Sequence, residues 1–173
     1  MNEEKVVLIN EHDEEIGLMD KMEAHEKGVL HRAFSVFIFN DQGEMLLQQR
    51  AQSKYHSPGL WTNACCSHPR QGESYKQAAH RRMPEEIGFD TELKEAFWFI
   101  YKADVGQDLT EHERDHVFIG HYNNNPELNP AEASAFKWMQ TESVKSDIER
   151  NPGIYTEWFK IIFNKYYKHI KRN

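Results

Sequence analysis

Cysteine is scarce in this chain: two residues in 173, and they are neighbours, Cys65 and Cys66. Adjacent cysteines cannot staple distant segments together, which excludes a disulfide-built extracellular scaffold and points to a reducing, cytoplasmic setting. Long apolar runs are missing as well. The longest, around Ala33–Phe39 and Trp158–Phe163, are too short and interrupted to span a bilayer. The opening MNEEKVVLIN lacks the basic segment and apolar core of a secretory signal. Positive charge is also short, with 21 Lys and Arg against 28 Asp and Glu and a formal net charge of −7. Such a surface does not draw in a nucleic-acid backbone, and no Lys/Arg block offsets it. We therefore expect no nucleic acid and no membrane as partner, and a monomer or weak dimer. A phosphate-bearing ligand would have to be caught by a few local cations or by a metal. No repeat, low-complexity tract or linker divides the chain, so residues 1–173 read as one domain with its core between about 5 and 163.

What is there reads as a layered fold. Lys5–Ile9 and Glu15–Met19 flank the polar stretch Asn10–Glu14 as a hairpin. Ala33–Phe39, apolar on both faces and rich in β-formers, predicts a central strand covered on each side. The turn signal Asn40-Asp41-Gln42-Gly43 leads into Met45–Gln49 as its partner strand. Trp61–Cys66, framed by Pro58-Gly59 and Pro69, is ambiguous. Glu73–Ile87 predicts a helix closed by Gly88, which Pro84 should kink or locally widen. Glu95–Lys102, Arg114–Tyr122 and Ala135–Met139 read as strands, and Asn123–Pro130 as a loop. Ser143–Glu149 reads as a short helix and Ile154–Ile170 as a longer one, and the basic end, Lys165–Asn173, as a solvated helix terminus. Strands and helices mixed without strict alternation predict an α/β domain of the α+β layered kind, a mixed β-sheet between helices.

Histidine is plentiful, with ten residues. His25 and His31 bracket the start of the Ala33 strand, and His68 follows Cys66 by two positions. A strand over Leu109–Val117 would put Glu111 and Glu113 on one face, because side chains alternate with period two. Three imidazoles and two carboxylates suit an octahedral site for Mn²⁺, Mg²⁺ or Zn²⁺, but spacing alone does not bring the five together, and a lone His is more often a surface or satisfied side chain. Glu73, Glu85 and Glu86 converge on one loop–helix unit as the hard oxygen donors Mg²⁺ prefers; a solvated amphipathic helix accounts for the same charges equally well. A Cys66 thiol beside a metal-bound imidazole and cations would have its pKa lowered enough to exchange protons near neutrality. The alternative is that both cysteines are small buried hydrophobes; in an extended segment only one of two neighbours can face a given pocket.

Taken together, the segments AHEKGVLHRAFSVFIFN, QQRAQSKYHSPGLWTNACCSHPRQGES, RRMPEEIGFD and EHERDHVFIGHY resemble the type I isopentenyl diphosphate isomerases, which have a Nudix-type fold. The resemblance runs from about Lys5 to Phe163. It implies interconversion of isopentenyl and dimethylallyl diphosphate, by adding a proton at one end of an alkene and removing one from the other. Cys66 and Glu113 match the two catalytic positions, and Tyr101 the tyrosine on the carboxylate side. His25, His31, His68, Glu111 and Glu113 match the metal site, and Glu86 a ligand of a second, substrate-associated Mg²⁺. Lys21, Arg50, Lys54 and Arg82 match the cations around the diphosphate. Trp61 and Trp158 match indoles lining the hydrocarbon end, where a π face stabilises a developing carbocation. His12, His56, His80, His112, His116, His121 and His169 gain nothing from the resemblance. Against the hydrolytic Nudix signature, Ser67 stands at the first Gly and Arg82 at a carboxylate of the metal cluster. That departure weakens the alternative, a Nudix pyrophosphohydrolase acting on nucleoside diphosphate derivatives through Glu73, Glu85 and Glu86. A third reading keeps the fold as a non-catalytic metal or diphosphate binder.

Overall fold

The computed structural model describes residues 4–170, and its nine strands join one mixed sheet. Lys5–Ile9 (β1) and Glu15–Asp20 (β2) form the expected antiparallel hairpin. Asn10 closes it, its side-chain oxygen accepting from the backbone N–H groups of His12 and Glu14. His31–Phe39 (β3) is the central strand, paired in parallel along its whole length with Thr110–His121 (β8). Leu93–Asp104 (β7) runs antiparallel on the other edge of β8.

The second edge of β3 is shared. β1 meets it at His31, and Cys65–Ser67 (β6) meets it at Phe34–Val36. Glu44–Arg50 (β4) touches it only at Phe39 opposite Met45. The expected hairpin between the Ala33 and Met45 strands is therefore only a turn: β6 takes the edge positions that a continued hairpin would use. β4 instead pairs with Ala133–Gln140 (β9) and with Trp61–Thr62 (β5). The ambiguous Trp61–Cys66 stretch thus resolves into two short strands on different partners.

Four helices cover the sheet. Lys21–Lys27 (α1) was not legible in the sequence, because KMEAHEK is short and mostly polar and buries only Ala24 and His25. It stops at Gly28, whose φ of 63° lies in the left-handed region that glycine enters without strain. Tyr75–Ile87 (α2) starts on a capping box formed by Ser74 and Gln77, leaving Glu73 outside the helix. α2 runs through Pro84 as one helix, against the expected kink; a proline there removes one backbone bond at an exposed position. Thr141–Arg150 (α3) and Glu157–Ile170 (α4) close the chain.

β3 is buried on both faces, as its sequence predicts. Phe34, Val36 and Ile38 pack with Ala78, Met83 and Ile87 of α2, while Phe37 and Phe39 pack with Val144 of α3 and Phe159 and Phe163 of α4. Each such aromatic or aliphatic side chain contributes about 1.5–3 kcal/mol on burial, which fixes the strand that carries His31 and Ser35. The end of α4 is not a frayed terminus as far as it is described: Ile170 is buried in the same core, and residues 171–173 of the basic tail lie outside the described residues.

Candidate active site

The register of the sheet assembles the site. His31 on β3 lies opposite Glu113 on β8, and Glu113 lies opposite Tyr101 on β7, so three polar side chains form one row across three strands. Alternation along β8 sends Glu111, Glu113 and Asp115 to the same face. β6 places Cys66 opposite Ser35 on that face of β3 and sends Cys65 into the α2 side of the core. Ser35, Cys66, Tyr101, Glu111, Glu113 and Asp115 open into a cavity of about 650 Å³, which Lys21, Arg50, Lys54 and Arg82 also line.

At the inner end, three imidazoles converge on one carboxylate oxygen. Glu113 Oε2 lies 2.8 Å from His31 Nε2, 2.7 Å from His68 Nε2 and 3.7 Å from His25 Nε2. His31 Nδ1 is 2.8 Å from the Val29 carbonyl, which can only accept, so that nitrogen carries a proton. A neutral His31 ring then turns a lone pair toward a carboxylate oxygen. Two acceptors facing each other call for a cation between them. His25 Nε2 makes the same point from the other side, being buried without a hydrogen-bond partner. Donor atoms of His25, His31, His68 and Glu113 all lie within 4.8 Å of one another. The donor set fits a divalent metal that accepts imidazole nitrogen together with carboxylate.

The surroundings push the two glutamates in opposite directions. Burial and the neighbouring Glu113 charge push the Glu111 carboxyl well up. Burial alone would raise Glu113 too, but His68 and the other imidazoles gathered round it outweigh burial and hold Glu113 well down. The Tyr101 hydroxyl lies 2.5 Å from Glu111 Oε2 and 2.5 Å from Glu113 Oε1. One hydroxyl proton cannot serve both contacts, and a proton on Glu111 completes the second. Burial pulls His68 down to about 4, so it is neutral near pH 7.

The protein groups around Cys66 act against the lowering that a metal-bound imidazole and cations would give. Burial raises its thiol well above the usual cysteine range, with Glu86 adding to the rise. Burial outweighs the lowering by Arg50, and Glu111 and Asp115, which line the same cavity, add to the rise.

The rim holds the cations, each already engaged. Lys21 at the start of α1 bonds Glu4 at 2.6 Å, and Lys54 bonds Glu132 at 2.6 Å. Arg82 bonds Glu132 at 2.9 Å, Glu86 at 2.8 Å and Glu85 at 2.5 Å. The loop that supplies Glu132 is tied to the end of α2: the Glu127 and Asn129 amides donate to the carbonyls of Ile87 and Glu86. Arg50 lies under the Trp158 ring, 5.4 Å from its centroid, and the buried Nε atoms of Arg50 and Arg82 lack hydrogen-bond partners. Such N–H groups suit an anion. Trp158 lines the cavity; Trp61 does not, its ring lying instead under Lys137 at 4.1 Å. Glu73 pairs with Arg81 and stays outside the cavity.

Five residues of the site escaped the sequence reading. His56 lines the cavity with Nε2 3.1 Å from Glu111 Oε1, and the Tyr55 hydroxyl is 2.8 Å from His25 Nδ1. Glu4 and Glu132 hold the rim cations. Asp115 takes a 2.7 Å hydrogen bond from the Ser35 hydroxyl, and its other oxygen is buried without a partner. Alternation after Glu111 and Glu113 was the available signal for Asp115. No local pattern marks the other four.

A NUDIX domain family model matches residues 29–159. A protein from Photorhabdus laumondii named "Isopentenyl-diphosphate Delta-isomerase 2" is 50% identical over 162 residues, covering 94% of this chain and 92% of its own length. A protein from Serratia proteamaculans named "Isopentenyl-diphosphate Delta-isomerase" is 48% identical over 160 residues, covering 92% and 89%. Among solved structures, a Deinococcus radiodurans protein has a TM-score of 0.77 at 19% identity, covering 94% of this chain and 99% of its own. The MutT protein of Methanosarcina mazei has a TM-score of 0.67 at 19% identity, covering 83% and 96%. At such identities these two structures speak for the fold alone.

Proposed function

The chain belongs to the isopentenyl-diphosphate Delta-isomerase family with a Nudix domain, and on that premise we propose which of its residues carry the reaction. It is an enzyme that interconverts isopentenyl diphosphate and dimethylallyl diphosphate. The reaction moves a double bond by protonating one end of an alkene and deprotonating the other, so it needs a proton holder and a proton acceptor facing one flat hydrocarbon.

The observation that carries the assignment is that a thiol and a carboxylate share one cavity, burial pushing the thiol up and the imidazoles holding the carboxylate down. Cys66 and Glu113 enter the same cavity from β6 and β8, the strands on opposite edges of β3, Cys66 level with Ser35 and Glu113 level with His31. Cys66 holds a proton at Sγ; Glu113 takes one at its carboxylate, with the Tyr101 hydroxyl on Oε1 passing or steadying it. The reaction is reversible, so the same pair runs in both directions. Trp158 offers a π face to the cationic hydrocarbon, and burial of this end keeps water from trapping it.

His25, His31, His68, Glu111 and Glu113 would hold Mn²⁺, Zn²⁺ or Mg²⁺. Such an ion would supply the positive charge that keeps both glutamates ionised side by side. Lys21, Arg50, Lys54 and Arg82 bind the diphosphate, and Glu86 holds the Mg²⁺ that accompanies it. We place the enzyme in the cytoplasm as a single domain, monomeric or weakly dimeric, acting on a small molecule and on neither nucleic acid nor membrane. Arg82 in place of a hydrolase carboxylate disfavours pyrophosphate cleavage.

Proton NMR in deuterium oxide with Mg²⁺ and isopentenyl diphosphate tests this. Deuterated dimethylallyl diphosphate should form with the natural chain, and Cys66→Ala should lose at least about 100-fold in turnover while staying folded. Unchanged turnover in Cys66→Ala removes the thiol from the reaction. Phosphate release without isomer would instead favour the hydrolase.

A further inference from the structure

The loop between β4 and β5 carries two polar side chains that the reaction does not use, half-buried Tyr55 and buried His56, and both contact the histidine–glutamate cluster. We propose that Tyr55 and His56 are positioning residues for the metal centre, Tyr55 orienting His25 and His56 orienting Glu111. The proposal rests on reading that cluster as a metal site.

His25 has two ring nitrogens. Nε2 faces Glu113 Oε2, and Nδ1 lies 2.8 Å from the Tyr55 hydroxyl. A ring that offers Nε2 to an ion carries its proton on Nδ1, which then donates to the Tyr55 oxygen. That contact fixes both the tautomer and the ring plane, the role that a second partner of a ligating histidine performs. Glu111 is held at both oxygens, by Tyr101 at 2.5 Å from Oε2 and by His56 Nε2 at 3.1 Å from Oε1. Rotation of the carboxylate away from the cluster would break both contacts.

His56 is itself immobilised. Its Nδ1 lies 3.2 Å from the Ser57 hydroxyl, and its ring stands edge-on to Tyr55 at 4.6 Å and to Trp158 at 6.0 Å. Its carbonyl accepts from Arg50 Nη2 at 3.1 Å. The loop is pinned to β4 by backbone bonds from Arg50 to Leu60 and from Gly59 to Arg50. Ser57 holds a φ of 49°, a left-handed conformation that non-glycine residues adopt only where the surroundings enforce it. One rigid loop thus sets the position of a ligand from α1 and a ligand from β8.

His56 could also be a ligand, since it forms a compact trio with His25 and Glu111. The trio, however, shares His25 with the Glu113 group. His25 Nδ1 is taken by Tyr55, leaving one nitrogen, and an ion in the trio would strip that nitrogen from the other three donors. Support from outside is the arrangement that leaves all five proposed ligands on one ion.

The test strips the protein with a chelator and titrates Zn²⁺ by calorimetry. Tyr55→Phe and His56→Ala should each weaken Zn²⁺ binding by about 10- to 100-fold, with apo-protein unfolding midpoints close to the natural chain's. His56→Gln, which keeps an N–H donor, should recover most of the affinity. With metal saturating, kcat should fall while KM stays within about twofold, because the rim cations are untouched. The visible spectrum of the Co²⁺-loaded His56→Ala protein should keep its shape; a changed ligand field would make His56 a ligand and overturn the proposal. Equal Zn²⁺ affinity in the natural chain and both variants would overturn it while leaving the metal centre intact. A natural chain that binds neither Zn²⁺, Mn²⁺ nor Mg²⁺ would overturn the centre and this inference with it.

Discussion

At the inner end of the cavity one oxygen of Glu113 lies within 3.7 Å of three imidazole nitrogens, whereas at the rim each of Lys21, Lys54 and Arg82 lies within 3 Å of a carboxylate. The inner groups are buried and come from β-strands and a helix locked by core packing. The rim pairs are partly exposed, and the carboxylates that hold Lys21 and Lys54, Glu4 and Glu132, come from the segment before β1 and the loop before β9. Buried lone pairs that converge suit a cation that stays; part-exposed cations resting on carboxylates suit an anion that arrives and leaves, because exchanging one anionic partner for another costs little in water. The same set of residue types, charged and imidazole, thus serves permanence at one end and turnover at the other.

The sharpest way to break this contrast is Glu113→Gln. It removes the charge on which the imidazoles converge, so both metal retention and turnover should collapse, turnover by about 100-fold or more. Calorimetric metal binding together with product NMR reads both, and a variant that keeps either one would separate the two roles assigned to this side chain. Arg82→Gln should act only on the rim. Loss of charge-assisted bonds worth about 1.5–3 kcal/mol predicts a KM raised roughly 10- to 100-fold with metal affinity unchanged. A fall in metal affinity would mean that the two ends are one unit.

The smallest effect belongs to Glu4. Burial by itself would raise its carboxyl, but the Lys21 cation outweighs burial and holds it down to about 2. A depressed carboxyl stabilises the fold above its ordinary pKa near 4.5, and that contribution is lost as pH falls toward 2. With 43% of the Glu4 side chain exposed, screening keeps the contribution under about 1 kcal/mol. Urea unfolding of the natural chain and Glu4→Gln should therefore differ slightly at pH 7, converge below pH 4.5, and converge also at high salt.

The contrast also explains what could be read in advance. Glu111 and Glu113 share a face because strands alternate, and that is local arithmetic. β3 was legible because both of its faces are apolar, and the end of α2 because Gly88 closes it. Matching to a family carried His25, His31, His68 and Cys66, which periodicity alone left open. The rim carboxylates and the Tyr55–His56 pair were not legible: each is tied to its partner across the fold, Glu132 to Arg82 over 50 positions and Tyr55 to His25 over 30.

The sequence by itself determined the alternating carboxylates of β8, the doubly buried central strand and the neighbouring cysteines of which one must face away. Those follow from the stereochemistry of an extended chain and the cost of exposing apolar surface. The tertiary structure alone decided that β6, not β4, lies beside the middle of β3, and that β8 runs parallel in the register opposing His31 to Glu113. It also decided that burial pushes the Cys66 thiol up, against the local cation. Burial and the charges around a group set its protonation, and both are properties of what the folded chain brings near it.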